Sequence, residues 1–203
     1  MTVTDTRQHI LDVAKQVFSE KGFVGTTTKE ITLRADVNEV TLFRHFGNKE
    51  NLFLEGIKDC CPKNGGVLDI EKTGDLETDL TALANNYLKD TLKHTDFIRI
   101  YLMELPRSPE LLKNIVIMPP ELQSNLTSYL EELCEKGLVA QSNFKLLSQL
   151  FYINLFDYIL HTHVLRLSRR QGVSKDDTVS TVVKLFVGGL KYEFPEDSSG
   201  EDF

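Results

Sequence analysis

Four polar side chains, Asn38, Glu39, Thr41 and Arg44, fall within seven residues whose apolar partner is Leu42. At helical spacing they stand out from one side of a short helix, offering an amide, a carboxylate, a hydroxyl and a guanidinium. Such a set can exchange hydrogen bonds with the floor of a DNA major groove. It lacks the parts of a catalyst. Nowhere does the chain show a nucleophile beside a base, a glycine-rich phosphate loop or metal-ligand spacing. There is no CxxC, the five histidines are scattered, and His161 and His163 stand two apart, on different faces of any helix. The chain therefore reads as a non-enzyme, with no cofactor and no metal. A polar face on a helical hairpin is often merely solvated, so spacing alone leaves DNA recognition and simple exposure both open.

The elements that must hold this face can be read from caps and breakers. Ile10, Leu11, Ala14, Val17 and Phe18 give a first helix that stops at Lys21-Gly22. Phe23 and Val24 follow in a linker and are expected to pack beneath the domain. Thr26-Thr27-Thr28 supplies the cap of a two-turn helix from Lys29 to Ala35, Asp36-Val37-Asn38 a tight turn, and Asn38 the cap of a helix from Glu39 to His45. Ile31, Ala35, Val37 and Leu42 have the spacing to lock these two helices into a helix-turn-helix. Asn48 caps a fourth helix, which ends before Pro62.

Beyond the loop at Pro62–Gly66 the period remains helical, with no strand alternation and no repeats. Asp75 opens one helix, Phe97 to Leu105 forms another closed by Pro106, and Ser108-Pro109 and Pro119-Pro120 open two more. A long apolar segment runs from Asn143 to about Arg170, and Ser174 caps a last helix. The expectation is an all-α chain with a helix-turn-helix head (1–50), a larger helical body (51–194) and an acidic disordered tail (195–203). No run of about 18 uncharged apolar residues predicts a membrane span. The N-terminus has no basic region followed by an apolar core, so no secretory signal is expected. Three cysteines make no disulfide framework and point to a reducing cytoplasm. A redox role for adjacent Cys60 and Cys61 competes with the plainer reading of two small helix-end residues. The net charge of −7 is unevenly spread: residues 1–55 hold seven Lys/Arg against eight Asp/Glu, and the rest hold 16 against 22. The head is nearly neutral on an acidic protein.

Residues 10–55 resemble the DNA-binding domain of the TetR family of transcriptional regulators. The resemblance is carried by A-x-x-V-F-x-x-x-G-F from Ala14, by Thr26-Thr27-Thr28, and by T-L-F-R-H-F-x-N-K-E-x-L from Thr41. It implies that Thr27 and Thr28 bind phosphate at a helix N-terminus. Asn38, Glu39, Thr41 and Arg44 would lie nearest the base edges, with Arg44 pairing with guanine and Glu39 accepting from a cytosine amine. His45 and Lys49 would touch phosphates, and Phe46 would be core. Two positions depart from the family pattern. Phe43 replaces a tyrosine whose hydroxyl reaches phosphate, and Asp36 replaces a glycine in the turn, at a small cost.

The resemblance further implies a body that binds a small molecule and pairs two subunits, its binding moving the heads apart to release an operator. Repression relieved by ligand is the default behaviour. The apolar surplus of residues 144–168 and 176–190 suits a homodimer through the last two long helices. Tyr87, Phe97, Tyr101, Met103, Met118, Phe151, Tyr152, Phe156 and His161 are candidates to line a pocket for a small hydrophobic effector, although most such residues in a helical domain are simply core. The competing reading is a helical interaction adaptor that has kept the head fold without sequence-specific DNA binding.

Overall fold

The computed structural model describes residues 3–60, 72–113, 120–166 and 173–191, the side chains of residues 3–5, 110 and 112 excepted. The Pro62–Gly66 loop, Cys61, Met118 and the acidic tail lie outside these residues. Among them there is no strand, and the protein is all-α. No helix among them is long and apolar enough to cross a membrane.

The first helix, α1 (Val3–Gly25), is broken at Gly22, whose φ of 72° belongs to the left-handed region that favours glycine. The buried Thr26 donates its hydroxyl proton to Gly22 O at 2.7 Å and fixes the break. Phe23 turns inward as expected, but Val24 does not; it stands in solvent. Two short helices follow, α2 (Thr28–Arg34) and α3 (Glu39–Phe46), and then α4 (Lys49–Asp59). Each starts on a side-chain cap: Thr27 accepts from Glu30 N, Asn38 from Thr41 N and Asn48 from Asn51 N. Asp36, at φ 52°, takes the left-handed position in the turn between α2 and α3.

The remaining helices are α5 (Leu76–Leu92), α6 (Thr95–Glu104), a single 3₁₀ turn at Leu105–Arg107, α7 (Pro109–Lys113), α8 (Pro120–Glu135), α9 (Phe144–Ile159) and α10 (Lys175–Lys191). The last long helix but one ends sooner than its apolar composition suggests. After Ile159 the winding loosens into a π-type turn, Leu160–Val164, and Arg166 takes φ 50°. Arg99 of α6 completes this ending: its Nε donates to Val164 O at 2.9 Å and its Nη2 to His163 O at 3.4 Å. Those carbonyls would otherwise be left without partners at a helix end.

Among the described residues, buried apolar side chains form two clusters. One joins α5, α8, α9 and α10. At its edge the carboxylate of Asp79 accepts hydrogen bonds from Thr73 N, Thr73 Oγ1, Gly74 N and the Tyr129 hydroxyl. Burial acts to raise its pKa, but the hydrogen bonds from Tyr129, Thr73 and Gly74 outweigh it and hold the group below the ordinary aspartate value.

The other cluster joins α1 to α4 and takes in Phe97, Tyr101, Leu105 and Leu111 from the start of the body. Its centre is aromatic: Phe53 lies 4.8 Å from Phe18, 5.0 Å from Phe23 and 5.1 Å from Phe97, centroid to centroid. Gly56 permits the closest approach, since a Cβ there would stand 2.8 Å from Cζ of Phe97. Gly56→Ala should overpack this contact and lower stability by about 1–2 kcal/mol, despite ~1 kcal/mol gained in helix propensity. Urea unfolding would show it, and Phe97→Leu should restore part of the loss in the same background. A G56A protein as stable as the parent would mean that the ring moves aside freely.

Candidate nucleic-acid interface

Helix α3 is short, and its two faces are cleanly divided. Leu42 and Phe46 are buried against the head's core, while Glu39, Val40, Phe43 and Arg44 point to solvent. Arg44 is exposed and has no partner among the described residues, so its five donors are available to a ligand. Asn38 is exposed at the cap, and its Oδ1 accepts from both Thr41 N and Thr41 Oγ1, at 2.7 and 2.8 Å. Thr41 is therefore half-buried and tied to the cap, less outward than its polarity suggests. Val40, 76% exposed, stands in the middle of the outward face, and Phe43 beside it is 42% exposed. Sequence reasoning passed over Val40 because it is apolar, although helical spacing puts it between Glu39 and Arg44.

The first turn of α2 borders this face. Thr27 is exposed and occupied as the cap, its Oγ1 accepting from Glu30 N at 3.2 Å. Thr28 donates its hydroxyl proton to Glu39 Oε1 at 2.9 Å and so joins the starts of α2 and α3. On the flank, Arg34 pairs with Glu20 at 2.7 Å and with Glu30 at 2.8 Å, and Lys21 pairs with Glu30. The Lys21 hydrogen bond, seconded by Arg34, keeps the Glu30 carboxyl below its ordinary pKa.

Two expected phosphate ligands lie elsewhere. Lys49 directs its ammonium inward, donating to Phe23 O and Thr26 O at 3.0 Å each, with Nζ 4.3 Å from the centre of the Phe23 ring. It clasps α4 to the end of α1 and the residue that follows it, where carbonyls at a helix terminus lack the usual intrahelical donors. His45 is half-buried, and its Nε2 is enclosed without a hydrogen-bond partner. Phe46 is core, and the Arg7 guanidinium covers its ring at 4.9 Å while binding Glu55 at 2.6 Å.

The family model for bacterial regulatory proteins of the tetR family matches residues 10–55, the stretch that forms this head. An uncharacterised HTH-type transcriptional regulator of Bacillus subtilis, YvkB, is 31% identical over 156 residues, covering 77% of this chain and 82% of that protein. The chain belongs to the TetR family. The HTH-type transcriptional regulator QacR of Staphylococcus aureus is 45% identical, over 49 residues that make up 24% of this chain and 26% of that one. A TetR-family regulator from Mesorhizobium loti, itself assigned only by family, superposes with a TM-score of 0.67 over 93% of this chain and 98% of that chain. At 19% identity this last likeness concerns the fold.

The residues expected to line an effector pocket do not come together. Phe97 and Tyr101 belong to the head-side cluster, packed on Phe53. Tyr87, Phe151 and Tyr152 are in the body's core with Phe156 against them, Tyr87 and Tyr152 being 5.1 Å apart. Burial, with Tyr87 adding to it, pushes the Tyr152 hydroxyl well above the ordinary tyrosine range. Met103 is 59% exposed and lines no interior. His161 faces a different place, a groove of about 380 Å³ between α9 and α10 that also holds Asp157, to which it is bound at 2.8 Å. The error has one physical source. An aromatic residue on an apolar helix face looks the same whether its neighbours close up around it or leave a cavity.

The Lys49 clasp is open to measurement. Lys49→Met should lower unfolding stability by about 1.5–3 kcal/mol, the range for hydrogen bonds to a charged group. The slope of log affinity for DNA against log salt should stay as it is. Unchanged stability with a slope shallower by about one would return Lys49 to the phosphates.

Proposed function

We propose that this TetR-family protein is a DNA-binding repressor that works as a homodimer and leaves its operator when a small hydrophobic molecule enters its body. The observation that carries DNA reading is the outward face of α3, where Arg44 stands beside two exposed apolar side chains, unpaired and uncovered among the described residues. Arg44 suits a guanine, and Val40 and Phe43 suit the methyl group of thymine. Thr27, Asn38 and Glu39 border the same face, as does the half-buried Thr41.

Dimerisation is supported by an apolar stripe left open on the last two long helices. Leu146, Leu150 and Ile153 of α9 are exposed at successive helical turns. On α10, Leu185 is 69% exposed, and beyond it Gly188 and Gly189 leave open space where side chains would be. A second copy laid across both helices would bury these groups and set two heads at a spacing matched to a two-fold operator.

The effector reading is supported by membership of the family. A route from body to head exists in α6, which holds the end of α9 through Arg99 and presses Phe97 on α4. At the same boundary Lys15 of α1 pairs with Asp59 of α4.

The purified protein should be dimeric by light scattering and retard the DNA upstream of its own gene, with affinity falling as salt rises. Arg44→Ala should weaken the specific duplex by about tenfold or more and affect unrelated duplexes far less. Leu150→Asp together with Ile153→Asp should yield folded monomers that bind the full site poorly. Binding that is absent at every salt concentration would end the regulator reading. A monomeric parent protein that still binds would end only the dimer.

A further inference from the structure

The hydrogen bond from Thr28 to Glu39 spans eleven residues of sequence and joins the first residue of α2 to the first residue of α3. Both ends are anchored independently. Thr27 caps α2 at 3.2 Å and Asn38 caps α3 at 2.7 Å, so neither backbone has slack at this point. An exposed glutamate with three rotatable bonds would ordinarily sweep a wide arc. Here Oε1 is held by the Thr28 hydroxyl, while Oε2 accepts no hydrogen bond among the described residues. A hydroxyl has one proton to donate, and Thr28 donates it to Glu39. Its side chain is thereby withdrawn from the phosphate contact that its place at a helix start suggests.

We propose that Thr28 is a positioning residue for base readout, holding the Glu39 carboxylate so that Oε2 accepts from the exocyclic amine of a cytosine in the major groove. This rests on the DNA-reading function proposed above. Cytosine is favoured over adenine because the adenine amine lies beside the N7 acceptor, which repels a carboxylate. A carboxylate on a DNA-facing surface is also repelled by phosphates. Glu39 therefore weakens binding to every sequence that does not offer it a donor, and discrimination comes from that loss as much as from the contact. The benefit requires the carboxylate to be in place before contact, which is what the Thr28 hydroxyl supplies.

The test uses the full-length protein and a duplex selected from a randomised pool, together with every single-base-pair variant of that duplex. The active fraction of each protein is fixed by stoichiometric titration. The parent should prefer cytosine at one position by about tenfold, within the range for a single mismatched base pair. Glu39→Gln should lose that preference while binding non-specific DNA more tightly. Thr28→Val keeps the shape and the backbone N–H but removes the hydroxyl; it should lose the same preference at the same base pair and no other. Thr28→Ser should retain it. The double variant T28V/E39Q should discriminate no worse than either single one. The proposal is overturned if T28V weakens all duplexes alike, if its loss adds to that of E39Q, or if the preference survives it. A parent protein that selects no duplex at all would instead bring down the DNA-reading function, and this inference with it.

Discussion

The ring of Phe97 lies against α4 where that helix has glycine in place of a side chain, and with the packing of α6 on α1 this contact joins head to body. Closely packed aromatic rings do not compress, so α6 and α4 can shift together but cannot slide freely past one another. Helix α6 is gripped at further points. Arg99 binds the carbonyls that end α9, and Tyr101 packs on Phe53. Helix α4 begins under the recognition helix, and Lys49 at its start binds the carbonyls that precede α2. For the regulator proposed here, α6 and α4 are elements that link the body to the segment preceding α2 by direct contact.

Helices as short as α2 and α3, at seven and eight residues, do not hold together alone in water, where about 12–15 residues are needed even for favourable sequences. They persist because each is capped and because Ile31, Ala35, Leu42 and Phe46 are buried. The side chains on the opposite face contribute little to that stability. Glu39, Val40, Phe43 and Arg44 are consequently free to be chosen for what they meet outside the protein. This division also accounts for an exposed valine and phenylalanine on a helix whose inner face is well satisfied.

The caps and breaks were legible in the sequence because each is a local device with its own residue type. Thr27, Asn38, Asn48 and Asp75 cap where their letters suggest, and Gly22 and Asp36 take the left-handed conformations that the turns demand. What was not legible depends on partners distant in the chain. Lys49 reads as an exposed cation at a helix start until the carbonyls of Phe23 and Thr26 are placed beside it. Thr28 and Glu39 read as two separate ligands until the turn brings them together. The division of the aromatic residues between two cores fails to show for the same reason, since Phe97 and Tyr87 sit on similar apolar faces of adjacent helices.

An acidic protein with a nearly neutral head must still meet a polyanion, and the arrangement of the carboxylates shows how the conflict is eased. Glu20 and Glu30 are paired with Arg34 and Lys21, and Glu55 with Arg7 and Lys58. Each pair cancels repulsion locally, though it also occupies a cation that would otherwise attract phosphate. Arg44 escapes such pairing among the described residues. Pairing most of the head's cations reduces its general attraction to DNA, so the regulator proposed above relies the more on contacts that fit. On the proposal made for Glu39, the carboxylate held by a neutral partner on the reading face shifts that balance further from non-specific binding toward discrimination.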